Sequence, residues 1–224
     1  MKKSFYIAAG VILIPFLVYF FLKAGNTSFK RLPYLGERIA PDGINQKDTI
    51  YYSIPDFVVT DQRGRKLNLA SFQNKIFIAN FFFASCQEVC PAMNKKLAVV
   101  YDKFKKFSEY DKFKKFSEIE FVSFTVDPEN DNTSVLFEYS KKYKADPKIW
   151  HFVSTNMEAT SKIGQGFLLP ISKEDKTIDH SQQLILVDKE KHIRGVYNSF
   201  DEEDMKRLND ELKVLLYEYY QPGK

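Results

Sequence analysis

Residues 76–93 read IFIANFFFASCQEVCPAM and contain the only two cysteines of the chain, Cys86 and Cys90. The near-continuous apolar run Lys75–Phe83 predicts a fully buried strand, and the residues from Pro91 onward predict a helix. Two sulfurs four residues apart at such a junction face the same way and can bind one soft metal ion or each other. A helix N-terminus also favours thiolate over thiol. The alternative is a pair of buried apolar cysteines without chemistry.

Length and composition predict a folded protein without a nucleic-acid surface. The chain has 224 residues, enough for one full domain with an anchor and a linker, and 44% of them are hydrophobic, which supports a packed core. The net charge is only +4, with basic residues spread among acidic ones. Nothing in this pattern points to nucleic acid as a partner.

The N-terminus carries an uncharged run of 18 residues, Phe5–Leu22. This length is near the short end for a membrane-spanning helix and too long for a typical signal-peptide core, and no small-residue cleavage site follows. We therefore predict an uncleaved transmembrane anchor at 1–23 and a linker at 24–49 that can hold short strands. Lysines on both sides of the run leave its orientation open. The alternative is a core helix of the soluble domain, which the all-round apolarity disfavours.

Strands alternate with helices over residues 50–220, which predicts an α/β domain. We predict strands at 55–59, 75–83, 119–126, 150–154, 183–187 and 192–197, and helices at 91–117, 133–143, 157–165 and 201–220. This order, which ends in a hairpin and a helix, is that of the thioredoxin-like fold, a central mixed sheet flanked by helices. The cysteines then follow the carboxyl end of a central strand, where open α/β sheets place their sites.

The nonapeptide YDKFKKFSE at 101–109 is repeated without change at 110–118. Nine residues turn a helix by about 900°, so the second copy is half a turn out of phase with the first. Tyr101 continues the apolar face of the preceding turns, whereas Phe113 points the opposite way. We expect one copy to be exposed, or to break the helix before the strand at Ile119. A neutral duplication is favoured over an aromatic and basic surface for a membrane or partner.

A third ligand would complete a metal site, because two thiolates with an imidazole suit Cu(I) or Cu(II). His151 lies inside a predicted strand and is interpreted as a sheet residue, and His192 lies at a hairpin and is interpreted as solvated. His180 lies in a polar loop that enters a strand. In a thioredoxin-like fold this loop packs beside the start of the cysteine-bearing helix, which leaves open whether His180 is a ligand or a loop residue.

Taken together, these motifs resemble the Sco/SenC family of membrane-anchored, thioredoxin-like copper proteins over roughly residues 50–200. The matching segments are Pro55-Asp56-Phe57, Phe81-Phe82-Phe83 leading into Cys86-x-x-x-Cys90-Pro91, Val122-Ser123-Phe124-Thr125-Val126-Asp127-Pro128, and Asp179-His180-Ser181. The resemblance implies that Cys86, Cys90 and His180 bind copper, as Cu(I) or Cu(II). It also implies that Cys86 and Cys90 are a redox-active pair able to form a disulfide.

The family resemblance further implies a metallochaperone that serves assembly of the dinuclear copper site of cytochrome c oxidase, and leaves open a thiol-disulfide oxidoreductase activity. Its partners would be the copper-bearing oxidase subunit and other copper carriers or thiol reductants. The domain at 50–220 would lie on the exported, periplasmic side of the cell inner membrane, where a disulfide can persist.

Three other functions compete with copper delivery. A thiol-disulfide oxidoreductase that reduces partner cysteines without copper is compatible with the CxxxC spacing. A peroxidase is disfavoured, because Gln87 stands where peroxiredoxins carry Thr or Ser before the reactive cysteine. A structural binding module leaves the paired cysteines unexplained. Near the site, we expect Asp127 to brace a turn and not to support a ligand, and Met93 to be a core residue.

Overall fold

The computed structural model describes Leu13, Tyr19 and residues 31–39, 50–110, 115–169 and 182–220. The strands are β1 (Arg38–Ile39), β2 (Ile50–Tyr51), β3 (Val58–Asp61), β4 (Lys66–Asn68), β5 (Ile76–Phe82), β6 (Ile119–Thr125), β7 (Trp150–Ser154), β8 (Gln183–Val187) and β9 (Ile193–Asn198). The helices are α1 (Val89–Tyr110), α2 (Thr133–Lys141), α3 (Met157–Gly166) and α4 (Glu202–Tyr220).

Seven strands form the central sheet in the order β4-β3-β7-β6-β5-β8-β9, while β1 and β2 pair separately. The three central strands β5, β6 and β7 are parallel, and the other neighbours are antiparallel. The carboxyl ends of β5, β6 and β7 therefore meet at one edge, called here the Cys edge. Because β8 is antiparallel to β5, it begins at the same edge. This mixed sheet flanked by helices confirms the predicted α/β class.

Strand β5 forms the centre of the core, as its apolar run predicts, and all seven of its residues are buried. Ile76, Ile78 and Phe82 face a cluster that contains side chains of α1, α2 and α4. Phe77 and Ala79 face a second cluster on the other side of the sheet, to which α3 contributes. Helices therefore cover both faces, which explains why β5 shows no alternation of apolar and polar residues.

A buried polar network fixes α1 on the sheet. Asn80, the only polar residue of β5, donates to Asn94 Oδ1 of α1 over 2.9 Å and accepts from Ser123 Oγ over 2.6 Å. Asn94 Nδ2 donates to the hydroxyl of Tyr139 over 3.1 Å, and the indole of Trp150 donates to Ser123 over 2.9 Å. Since every amide of the network has a partner, the network specifies how α1 sits on the sheet.

The second nonapeptide does not continue the α-helix up to β6, so the prediction of a helix to residue 117 is wrong in its length. Tyr101 and Phe104 of the first copy are buried in the core. Helix α1 ends at Tyr110, and Lys115–Glu118 form a 3-10 helix directly before β6. This agrees with the expected break, because the second copy could not keep the apolar face of the first. Phe113 lies outside the described residues.

The hairpin strand β4 and the 3-10 turn Leu69–Phe72 after it were not predicted. β4 pairs with β3 through a turn in which Gly64 has a φ of +77°, a conformation that favours glycine. The next turn is stabilised by a reciprocal capping box between Asn68 and Ser71.

Arg194 holds the residues just before β1 against the rest of the folded unit, which begins at Leu32. Its guanidinium is 2% exposed, and it donates to the carbonyls of Leu32 (2.7 Å) and Pro33 (3.1 Å). The same group pairs with Asp188 at 3.0 Å and Glu218 at 2.9 Å. We refer to these contacts as the Arg194 clasp.

The predicted anchor at 1–23 falls outside the described residues, apart from Leu13 and Tyr19, which are helical. Within the described ranges, the structure contains no helix with the length and apolarity needed to cross a membrane. The linker predicted at 24–49 is described only at 31–39.

Candidate metal centre

The two cysteines lie at the Cys edge, on either side of the point where the loop after β5 enters α1. Cys86 is half-buried in the loop, and its amide donates to the carbonyl of Phe83 over 3.3 Å. Cys90 lies in the first turn of α1 and is 4% exposed. Its backbone amide donates to Cys86 Sγ over 3.3 Å. Both residues are free thiols. The structure thus brings the predicted pair together, with one accessible and one buried member.

The buried thiol holds its proton firmly. The pKa of Cys90 is raised to about 12, chiefly by burial and also by the neighbouring Cys86 and Asp131, although a backbone hydrogen bond from Phe83 lowers it. A metal ion or a disulfide must therefore displace a proton from Cys90 in order to bond to it. Cys86, with its greater exposure, is the member that a second molecule reaches first.

A buried carboxylate supports the loop that carries Cys86. Asp131, which is 1% exposed, accepts from the amide of Ala84 over 3.0 Å and from the hydroxyl of Thr125 through the same oxygen. The adjacent amide of Val126 donates to the carbonyl of Phe82 over 2.8 Å. The residues after β6 thus hold the end of β5 at Phe82 and the start of the cysteine loop at Ala84. Sequence reasoning missed Asp131, which lies in the loop between β6 and α2.

Asp127 and Met93 take the roles expected for them. Both carboxylate oxygens of Asp127 accept from Asn130 Nδ2 at 2.9 Å, and its amide donates to the hydroxyl of Thr125 over 3.0 Å. Asp127 therefore braces the turn after β6. Met93 is a core residue whose sulfur lies 3.8 Å from the side-chain amide of Asn80.

His180 lies outside the described residues. The chain re-enters the described part at Gln182, whose carbonyl accepts from the amide of Ser199 over 2.8 Å. From there β8 pairs with β5, Ile185 opposite Ala79, so β8 begins at the Cys edge. Within the described ranges, no three His, Cys, Asp or Glu side chains are arranged to hold a metal ion.

The other two histidines lie away from the cysteines. His151 is buried in β7 with Nε2 3.3 Å from Glu120 Oε2, which confirms its interpretation as a sheet residue. The interpretation of His192 as solvated is wrong. It is half-buried beside the ring of Tyr34, and its Nδ1 lies 2.8 Å from the carbonyl of Tyr52. The residues before β3 cover this hairpin, which the hairpin sequence alone did not reveal.

Comparison with known proteins extends the similarity from these motifs to the whole domain. The SCO1/SenC family profile matches residues 46–216. The SCO1 protein homolog of Bacillus subtilis (strain 168) is 25% identical over 160 residues, which cover 69% of this chain and 78% of that protein.

Solved structures show the same fold. BsSco, described as a member of the Sco family of cytochrome c oxidase assembly proteins with a disulfide switch, matches with a TM-score of 0.62 at 21% identity, over 74% of this chain and 94% of that one. Arabidopsis thaliana ScoI with copper bound matches with a TM-score of 0.59 at 24% identity, over 75% and 99% of the two chains. The fold is therefore the thioredoxin-like fold of the Sco proteins. Because the SCO1/SenC family profile matches more than half of this chain, the chain belongs to the SCO1/SenC family.

Proposed function

We propose that this protein is a membrane-anchored copper chaperone that serves assembly of the dinuclear copper site of cytochrome c oxidase. The observation that carries the proposal is the contact between Cys86 and Cys90 at the Cys edge, where the Cys90 amide meets the Cys86 sulfur at 3.3 Å. Two soft sulfur ligands at one point select copper in its reduced form, and an added imidazole also accommodates Cu(II). Membership of the SCO1/SenC family and the copper-bound Arabidopsis relative support this assignment.

Cys86, Cys90 and His180 are the proposed copper ligands. Support for His180 comes from the chain path, because β8 begins at the Cys edge and His180 precedes Gln182 by two residues. Two residues of extended chain span at most about 7 Å, and we propose on this ground that His180 lies within reach of the Cys edge. Copper supplies the charge that makes ionisation of a buried thiol favourable, and binding therefore releases the proton of Cys90.

The same proposal includes the membrane anchor at 1–23, the linker at 24–49 and the copper-binding domain at 50–220. The apolar run Phe5–Leu22 supports the anchor. A domain on the exported side of the cell inner membrane would meet the copper-bearing oxidase subunit, other copper carriers and thiol reductants in an environment that permits disulfides.

Copper binding tests the proposal directly. The full chain in detergent, reduced and loaded with Cu(I) or Cu(II), should hold about one copper through its two thiolates and one imidazole. Cys86→Ser and Cys90→Ser should each abolish binding, and His180→Ala should weaken it and change the Cu(II) spectrum. His192→Gln is the matched histidine control and should bind copper normally. Full copper binding by the double cysteine variant would overturn the proposal.

The unequal exposure of the two thiols favours a second candidate, a thiol-disulfide oxidoreductase. The Cys86 thiolate would attack a partner disulfide, form a mixed disulfide and release one partner thiolate. The Cys90 sulfur would then attack Cys86, close the Cys86–Cys90 disulfide and release the second partner sulfur. Two electrons pass from the cysteine pair to the partner, and the two protons end on the partner thiols.

Trapping separates the two candidates. With a disulfide-bonded peptide as the partner, Cys90→Ser should accumulate the mixed disulfide through Cys86, whereas Cys86→Ser should not. If the wild-type chain reduces the peptide but binds no copper, the oxidoreductase function stands alone. If copper protects both thiols from alkylation, the chaperone function holds.

A further inference from the structure

A row of alternating basic and acidic side chains crosses the sheet at the edge opposite the Cys edge, where the parallel strands begin. Its members, in spatial order, are Lys75, Glu120, His151, Asp61 and Arg65. Successive members are separated by 3.0 Å (Nζ–Oε1), 3.3 Å (Oε2–Nε2), 4.0 Å (Nδ1–Oδ2) and 2.6 Å (Oδ2–NH2). Glu120, His151 and Asp61 are buried, with 9%, 5% and 0% of their surface exposed. We call this set the charge row.

An open pocket of about 210 Å³ lies against the charge row. Its apolar wall consists of Phe72 and Leu67, and its polar wall includes Arg65, Lys148, His151 and Glu120. The ring of Phe72 packs edge-on against His151 with centroids 5.6 Å apart. The pocket therefore presents a small apolar surface next to charged and polar groups, which suits a small ligand that carries a charge.

The carboxylates at the pocket are already engaged by the protein's own donors. Glu120 uses one oxygen for Lys75 and the other for His151. Asp61 accepts from the backbone amide of Arg65 at 2.8 Å and from its Nε at 2.8 Å. A ligand would find little acceptor capacity here, because an ionised carboxylate only accepts hydrogen bonds and these oxygens have their donors.

The charged side chains at the pocket that can still bind a ligand are cationic. Lys148 is exposed at the pocket, and no ion pair of its ammonium exists among the described residues. The Arg65 side chain is 44% exposed, and its Nε and NH2 already bind Asp61 and the carbonyl of Pro147. Its NH1 has no partner among the described residues and is the part of Arg65 that a ligand can reach. His151 Nδ1 is buried and has no hydrogen-bond partner within the described ranges. In the charge row, Arg65 offsets Asp61 and Lys75 offsets Glu120, so Lys148 leaves an uncompensated positive charge.

We propose that this pocket binds a small anion that carries a carboxylate or phosphate group. The anionic group would contact Lys148 and the exposed side of Arg65, both of which are residues suited to such oxygens. An apolar part of the ligand would pack on Phe72 and Leu67. The seven residues of β5 span about 20 Å, so the pocket is separate from the cysteine pair at the far end of the sheet.

Nuclear magnetic resonance of the ¹⁵N-labelled full chain in detergent tests this proposal. Inorganic phosphate and benzoate are added separately at constant ionic strength, with sodium chloride as the reference. Saturable shift changes should centre on residues 65–72 and 148–151. Tighter binding of benzoate assigns the site to organic carboxylates, and tighter binding of phosphate assigns it to phosphate compounds.

Lys148→Met is the decisive variant, because it removes the uncompensated charge and keeps the length of the side chain. It should weaken binding of the preferred anion about tenfold, as expected for the loss of a charge-assisted hydrogen bond. Lys96→Met, which removes an exposed lysine of α1, should have no effect. Shifts that do not saturate, that match those with chloride, or that persist in Lys148→Met would overturn the proposal. The copper proposal does not depend on this pocket.

Discussion

Asp131 accepts a hydrogen bond from the backbone amide of Ala84 over 3.0 Å, and this contact connects the loop after β6 to the loop that carries Cys86. The position of Cys86 is therefore supported by a side chain from the loop after a different strand, and the residues around the cysteine do not fix it alone. The hydroxyl of Thr125 donates to the same carboxylate oxygen, so two donors compensate the burial of one charge.

Thr125→Val should destabilise the protein, because it preserves the shape of the side chain but removes one of these donors. We expect the free energy of unfolding to fall by about 1–3 kcal/mol, the cost of leaving a buried acceptor short of a partner. Urea denaturation measures this change. Thr125→Ser retains the hydroxyl and should be closer to wild type. Equal stability of the valine and wild-type proteins would show that the hydroxyl contributes nothing.

The two thiols should differ in reactivity when the protein is reduced and metal-free. Burial raises the pKa of Cys90 to about 12, so its thiolate should appear only at strongly alkaline pH, while Cys86 is accessible in its loop. Pulses of iodoacetamide between pH 7 and 10, read by peptide mass spectrometry, should label Cys86 first. In urea both cysteines should react alike. Equal labelling of the folded protein at pH 8 would contradict the burial argument.

Glu120 should contribute a stabilisation that is lost in acid. Burial alone would raise the pKa of this carboxyl, but hydrogen bonds from His151 and Lys75 and their charges lower it below its ordinary value of 4.5. The folded-state pKa is thus below the unfolded one, so the contribution is present above about pH 4.5 and disappears as the pH falls through the folded value.

Glu120→Gln tests this pH dependence. The difference in unfolding free energy between wild type and Glu120→Gln should shrink between pH 6 and pH 3. Glu138→Gln breaks only an exposed pair with Lys141 and should change stability little at any pH. A difference that stays constant across this range would refute the assignment.

Deletion of residues 110–118 should leave the fold and copper binding intact. Tyr101 and Phe104 of the first copy are in the core, whereas the described end of the second copy is a 3-10 turn. Because the copies are identical, the deletion places Ser108 and Glu109 directly before Ile119, where Ser117 and Glu118 now contact lysines. Thermal unfolding should occur at the same or a higher temperature. Unfolding or loss of copper would show that the second copy is part of the fold.

Sequence reasoning succeeded for elements whose pattern of apolar residues is unambiguous. Strand β5 was predicted because all its positions but Asn80 are apolar, and helix α1 was predicted from Pro91 onward, two residues after its start at Val89. Strand β4 was missed because its three residues have no buried member, and only the turn at Gly64 brings it against β3. Short strands that depend on a turn leave little trace in hydrophobic periodicity.

Within the candidate site, the cysteines were predictable because their spacing is local, whereas the support from Asp131 was not. Asp131 lies 45 residues after Cys86 in the chain and accepts from the backbone amide of Ala84. Because every residue except proline has a backbone amide, such a contact leaves no signature in the side chain at position 84. Asp127 lies within a motif that matches the family, so the sequence analysis considered Asp127 and not Asp131. His180 stays a prediction, because it lies outside the described residues.

The Arg194 clasp determines where a shortened version of this protein can begin. A chain that started after Leu35 would lack the carbonyls of Leu32 and Pro33 and the ring of Tyr34, over which the guanidinium lies at 4.2 Å. Arg194 would then keep its two carboxylates but lose two carbonyl acceptors, at about 1.5–3 kcal/mol for each hydrogen bond of a charged group. Residues 32–35 are therefore part of the folded structure although they precede the central sheet, and a shortened recombinant form should begin no later than Arg31.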